Sequence, residues 1–221
     1  MQTGRSEPTP ASLSEVDDAL SARLAALCAA GWEIFERFEA EVRDRRFHPF
    51  IASDYELVQA ALLARRRPGL RFLELGSASG VITIMADLLG YDACGIELDD
   101  SLVATARDLA ARFESGARFV AGSFIPAGFA YKAGAGRADV PPAAVPTGHT
   151  PPAGPSAYLQ LGRALDDFDV VFGYPWGGEE PTMLELMRCY GRPDALMLLH
   201  SVDRGVQAYR GGREEHKLPA P

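Results

Sequence analysis

Between residues 70 and 124 the chain alternates three short, almost continuously apolar runs with two helical stretches, and few folds accept that rhythm. The runs are 70–75 (LRFLEL), 93–98 (ACGIEL) and 117–124 (ARFVAGSF). A strand that is apolar on both sides has to be covered on both sides, as happens when helical crossovers join parallel strands. The intervening segments supply those crossovers: VITIMADLLG, closed by Gly90, and SLVATARDLAARF, opened by Asp99 or Asp100. The rhythm returns after a gap. A short helix (AYLQLGRALDD) precedes a fourth run, DFDVVFGYP; a helix from about Glu179 then leads into a fifth, DALMLLHSV. The expected fold is therefore α/β, a doubly wound and mostly parallel sheet.

The flanks organise around that core. Residues 1–49 read as a polar leader followed by a helical extension. Ser12 or Ser14 stands where a cap belongs, and Val16, Leu20, Leu24, Leu27, Trp32, Phe35, Phe38 and Val42 recur at helical spacing, with Gly31 as an expected break. A second helix is expected from Asp54 to about Arg66. Residues 50–205 form the α/β domain, and 206–221 a short tail with at most one more strand at 206–209. That leaves the sheet shortened at its C-terminal end. Within the domain, 125–155 holds seven prolines and five glycines in 31 residues. Such a stretch buries too little to offset its ordering entropy and is expected to be a long flexible loop, with a lid over a site as its functional reading.

Composition narrows the function. At 221 residues the chain is one domain with trimmings, and 47% apolar residues suffice for a core. Thirty acidic against 22 basic residues give a net charge of −8. That balance argues against nucleic acid as the main partner, since gripping phosphates takes Lys and Arg, although a small basic groove fits inside an acidic total. Cys28, Cys94 and Cys189 have neither framework nor zinc spacing and read as idle thiols in a reducing compartment. The first twelve residues lack the basic-then-apolar order of a secretory leader, and no apolar run approaches the ~18 residues of a membrane span. The expected setting is the cytoplasm, with no membrane partner, no metal and an oligomeric state that the sequence leaves open.

The chemistry concentrates at strand ends. Glu74-Leu-Gly76-Ser77-Ala78-Ser-Gly80 joins the first strand to its helix, where glycine lets the backbone approach a ligand. The second strand ends in Glu97, 21 residues after Gly76, placed to accept hydrogen bonds from ribose hydroxyls. Both features fit a dinucleotide or S-adenosylmethionine, and spacing decides between them. A dinucleotide turn needs a glycine five residues after the first, and that position is Val81.

The pattern E-x-G-x-A-x-G resembles the first motif of the class I, Rossmann-like S-adenosylmethionine-dependent methyltransferases, with Ala78 at the family's middle glycine. The resemblance spans about residues 50–202. It implies that Gly76, Ser77 and Gly80 form the loop under the methionine part of S-adenosyl-L-methionine, with Glu74 as the acid typical before that loop. It further implies that Glu97 holds the ribose, Leu98 packs on the adenine, and Ser123 stands where an acid often holds the adenine amine; a strand-end cap is the equal alternative there. Gly173-Tyr174-Pro175-Trp176 is similar to the motif of amino-methylating enzymes, with Gly173 where that motif has Asp or Asn. Tyr174 and Trp176 are the expected acceptor-site aromatics, against a buried aromatic corner, and Glu179 or Glu180 is either a replacement hydrogen-bond acceptor or an N-terminal charge favoured by the dipole of the following helix. His200, at the end of the fifth strand, is the candidate general base, against the plainer role of a histidine bonded to backbone. A looser similarity to small lysine methyltransferases would bring Ser53 or Tyr55 near the cofactor carboxylate.

The resemblance thus implies a methyltransferase acting on a small molecule or a protein side chain. The alternative is a degenerate cofactor-binding module serving a partner. It leans on Ala78 and on the missing sixth and seventh strands.

Overall fold

The computed structural model describes residues 17–43, 50–67, 69–129, 156–175 and 178–215. Ser12, Ser14, nearly all of the Pro/Gly-rich loop, and Trp176 fall outside what it describes; the first helix is capped not by either serine but by Asp17, whose carboxylate accepts from Leu20 N at 2.7 Å.

Seven strands form one sheet in the order β3-β2-β1-β4-β5-β6-β7. The strands are β1 (Arg71–Leu75), β2 (Asp92–Glu97), β3 (Arg118–Ala121), β4 (Val170–Gly173), β5 (Leu196–Ser201), β6 (Gly205–Arg210) and β7 (Arg213–Glu214). The first five are parallel, and β6 and β7 run antiparallel at one edge. This is the α/β, doubly wound, mostly parallel fold that the apolar rhythm predicts. The chain leaves β1 in opposite directions towards β2 and β4, and ligands in open sheets of this kind bind at the carboxyl ends of such a switch point.

Helices cover both faces. On one lie α1 (Asp18–Phe38), α2 (Tyr55–Arg65), α3 (Val81–Leu88) and α4 (Asp100–Arg112), sealing Phe72, Val170, Phe172, Leu196 and Leu198. On the other, α5 (Ala157–Leu161) and α6 (Glu180–Tyr190) seal Leu73, Leu75, Ile96, Val171 and Leu199. Alternate residues of each central strand thus enter opposite cores, which is why the runs read as continuously apolar. Asp54 opens α2 by accepting from Glu56 N and Leu57 N at 3.1 Å each, and Asp99 opens α4 by the same means.

Three expectations are corrected. Gly31 does not break α1, which runs unbroken from Asp18 to Phe38. A Cβ there would stand 2.7 Å from Val81 Cγ2, so the glycine lets α1 lie close on α3. The helix expected over 157–167 ends at Leu161, because Gly162 turns left-handed and a separate tight turn follows at Leu165–Asp167. The sheet gains two strands beyond residue 204, where at most one, over 206–209, is expected. Strand β6 pairs with β5 from Ser201↔Gly205 to Leu196↔Arg210, and buried Tyr209 joins the α6 side of the core. Residues 205–214 thus complete the sheet, which removes one of the two supports for the degenerate-module reading.

Candidate active site

The turn after β1 carries two different glycines. Gly76 (φ +77°) and Gly80 (φ +80°) both adopt backbone that side chains disfavour. A Cβ on Gly80 would lie 2.7 Å from Ala106 Cβ and from the Phe119 ring, whereas one on Gly76 would meet nothing within 4 Å. Gly80 is needed by the fold, and Gly76 borders open space. Ala78, at the position of the missing glycine, is itself held at φ +44°. Forcing a side chain into that region costs roughly 1–2 kcal/mol.

Glu97 fastens this turn from the end of β2. Its Oε2 accepts from Ala78 N at 2.8 Å, while Oε1 accepts from Leu98 N at 2.7 Å and Asp99 N at 3.0 Å. A carboxylate offers about four acceptor sites, so one on Oε2 stays open. Leu98 beside it is 40% exposed, a large share for a leucine at a strand end.

Glu74 points into the α1–α4 face and is 4% exposed. Its Oε2 accepts from Thr83 N at 2.9 Å and from the Thr83 hydroxyl, tying β1 to the first turn of α3. Burial pushes its pKa up to about 8, against the pull of those two bonds. Ser77 turns its hydroxyl away towards Gly95, whose missing Cβ makes the room, and that oxygen is buried without a partner. Its N–H donates to Ile96 O at 2.9 Å. Ser123 is buried; its hydroxyl accepts from Ile125 N at 3.1 Å and its carbonyl from Ala157 N, the capping role at a strand end.

Along the carboxyl ends, the register Leu75↔Gly173 and Gly173↔Leu199 brings Gly76, Tyr174 and His200 into one row. The rings of Tyr174 and His200 meet edge-on, 4.7 Å between centroids and 61° apart. His200 is 4% exposed and its Nδ1 has no hydrogen-bond partner, unlike the backbone-bonded histidine of the plainer reading. Burial lowers its pKa, opposed by the Asp54 carboxylate. Burial also raises the Tyr174 hydroxyl. Glu180 is not free to serve an acceptor: Arg204 grips both its oxygens at 2.9–3.0 Å, and the Tyr209 hydroxyl donates to it at 2.8 Å.

A crevice opens beside this row, lined by Phe50, Ser53, Tyr55, Glu74, Gly76 and Tyr174 among others. Tyr55 packs on Trp32 of α1 at 5.1 Å, and Phe50 on Phe35 and Phe38. Sequence reasoning assigned no site role to Phe50 or to the α1 aromatics, whose helical spacing read only as core. Among the described residues there is no cluster of three potential metal ligands, and no helix is long and apolar enough to cross a membrane.

No family model matches the chain. A curated relative, the ribosomal protein L11 methyltransferase of Thermus thermophilus, is 35% identical over 97 residues, 42% of this chain. The match spans only 38% of that relative. Over this segment the chain resembles a methyltransferase, as the glycine turn and Glu97 imply. Solved structures similar to it include an RNA methyltransferase from Salinibacter ruber holding S-adenosyl-L-homocysteine (TM-score 0.48, 14% identity, 77% of this chain and 98% of that one). Another is a methyltransferase from Thiobacillus denitrificans with the same ligand (TM-score 0.44, 21% identity, 75% and 54%). A third is precorrin-6y C5,15-methyltransferase from Geobacter metallireducens (TM-score 0.41, 18% identity, 69% and 68%). The expectation against nucleic acid gains no support among them.

Proposed function

We propose that this chain is an S-adenosyl-L-methionine-dependent methyltransferase whose cofactor sits against the turn 76–80 and the end of β2. The carrying observation is the pairing of Gly76, open on the side where a Cβ would stand, with Glu97, which keeps one acceptor position free beside exposed Leu98. Those features suit a ribose and an adenine, and the L11 methyltransferase relative supports the same reading. When bound, the cofactor supplies a methyl group on a sulfonium, already an activated electrophile.

The chain's own work is positioning and drying. Glu97 holds the turn through Ala78 N and offers its remaining lone pair to a ribose hydroxyl. Glu74 fixes the start of α3 and so the curvature of the turn. Leu98 gives the adenine an apolar face. Ser77 and Ser123 contribute backbone and local capping rather than side-chain contacts. Tyr174 and His200 stand on the acceptor side, Tyr174 as a wall and His200 behind it. Holding two reactants in line is worth up to ~7–11 kcal/mol of a barrier without covalent help from the protein. The acceptor belongs to the small-molecule or protein side-chain classes.

Calorimetry with S-adenosylmethionine, S-adenosylhomocysteine and NAD tests the reading. Micromolar binding of the first two and none of NAD is expected, and Glu97→Ala should weaken it at least tenfold. Equal binding by Glu97→Ala, or binding of NAD alone, would overturn it.

A further inference from the structure

At the end of the sheet opposite the glycine turn lies a second cleft, of about 610 Å³, and its polar lining is dominated by arginine. Arg65, Arg66 and Arg67 reach it from the end of α2, Arg192 from the segment after α6, and Arg210 from the end of β6. Leu70, Val170 and Leu196 give it an apolar floor. Val170 and Leu196 pair at the amino ends of β4 and β5, three residues, or about 10 Å, from Gly173 and Leu199 at the carboxyl ends. The cleft shares no lining residue with the crevice beside Gly76.

The carboxylates in the lining are already engaged. Glu215 accepts from Arg65 Nη1 at 3.2 Å and from Arg210 Nε at 2.7 Å. Arg192 bridges Asp169 at 2.5 Å and Asp194 at 2.6 Å, and the other oxygen of Asp169 accepts from Arg71 N at 2.7 Å. Arg210 also donates to the Asp194 carbonyl. Among the described residues, Arg66 and Arg67 pair with no carboxylate. Five guanidiniums thus face three carboxylates, an excess of two positive charges in a chain whose net charge is −8. The carboxyl ends of α2 and α6 offset about half a charge each, which leaves the cleft positive by about one. A guanidinium carries five donors. Ion pairs and the carbonyl contact use one or two on each of Arg65, Arg192 and Arg210, and hold those side chains in place, so an anion would meet donors already ordered.

We propose that this cleft binds the phosphate group of a small phosphorylated molecule, at a site separate from that of the cofactor. Arg66 and Arg67 keep their planar forks for the phosphate oxygens, which such forks match bidentately. Leu70, Val170 and Leu196 underlie the organic part of the ligand. The volume falls within the roughly 300–1,000 Å³ of small-molecule sites and exceeds what inorganic phosphate fills. A long polyanion fits less well, because it needs positive charge along its whole track and the net charge of the chain repels it.

The test titrates uridine monophosphate, uridine and inorganic phosphate into protein saturated with S-adenosylhomocysteine, which keeps the probe out of the cofactor site. Uridine monophosphate should bind, and uridine and inorganic phosphate should each bind at least tenfold more weakly. Its affinity should rise as pH passes upward through ~6, where the phosphate takes its second negative charge. The double variant Arg66→Ala/Arg67→Ala should weaken this binding at least tenfold and leave S-adenosylhomocysteine binding unchanged. Should that variant fail to fold, nitrogen NMR of the wild-type arginine side chains decides: uridine monophosphate should shift their signals, and uridine should not. Uridine monophosphate bound no better than uridine, or bound equally by the double variant, would overturn the proposal. Tighter binding of an oligouridylate, or of phosphatidylserine vesicles, would overturn it in favour of nucleic acid or a membrane. Failure of S-adenosylhomocysteine to bind would sink the cofactor reading alone, because the effect of the double variant on uridine monophosphate is measured without it.

Discussion

Alanine at Gly80 and alanine at Gly76 are the same chemical change on the same turn, and the structure assigns them opposite consequences. At Gly80 (φ +80°) the left-handed backbone costs a side chain roughly 1–2 kcal/mol. The new methyl would stand 2.7 Å from Ala106 Cβ and the Phe119 ring, both buried, and overpacking of this kind typically costs about 1–3 kcal/mol. The stiffer unfolded chain returns about 0.4–1 kcal/mol. The net loss is about 3 kcal/mol, or roughly 6–12 °C in melting temperature for a chain of this length. At Gly76 (φ +77°) only the backbone cost applies, since nothing lies within 4 Å. The net is about 1 kcal/mol, or ~2–4 °C. Its methyl, however, enters the open side of the turn, so S-adenosylhomocysteine affinity should fall at least tenfold, about 1.4 kcal/mol. Thermal unfolding and calorimetry on both variants read the two effects separately. A Gly80→Ala protein melting within ~2 °C of its parent, or a Gly76→Ala protein binding the ligand undiminished, would refute the division of labour.

Other perturbations probe the same scaffold. Glu74 has a folded pKa of about 8, above its unfolded value, so the folded state holds the extra proton. Its stabilisation is full below pH ~4.5 and fades as pH rises towards 8, at up to ~1.4 kcal/mol per unit; urea unfolding across that range should show the slope in the wild type and lose it in Glu74→Gln. Ala78→Gly relieves roughly 1–2 kcal/mol of backbone strain at φ +44° and loosens the unfolded chain by about 0.4–1 kcal/mol. Its melting temperature should therefore rise by a few degrees at most, and a fall would mean that the alanine methyl makes contacts worth keeping. Ending the chain after Arg204 strips β6 from β5 and removes Tyr209 from the core. The product should be aggregation-prone because a bare apolar edge strand templates pairing, and a monomeric, cooperatively melting product by light scattering and calorimetry would contradict that.

What the sequence made legible was whatever depends on neighbours along the chain. Five parallel strands, helix starts at Asp54 and at Asp99 or Asp100, the glycine turn and the acid at the end of β2 are each written within a dozen residues. The misreadings involve partners from elsewhere. β6 mixes polar and apolar residues and reads as at most one optional strand in a tail, because its place depends on the free edge of β5. Ser77 keeps its place in the turn that lines the crevice, but the direction of its hydroxyl follows the space left by Gly95 on the next strand, which no local pattern shows.

Glycines show the limit most sharply. Gly31 reads as a helix break, and Gly76 and Gly80 as equal members of one turn. In three dimensions Gly31, Gly80 and Gly95 are each glycine because another part of the chain comes within 3 Å of where a Cβ would be: Val81, Ala106 and Phe119, and Ser77 respectively. Gly76 meets no such neighbour. A residue crowded by its own protein explains itself through packing. Gly76 is glycine for its left-handed backbone alone, and its open side at the switch point of the sheet is where the proposed cofactor would lie.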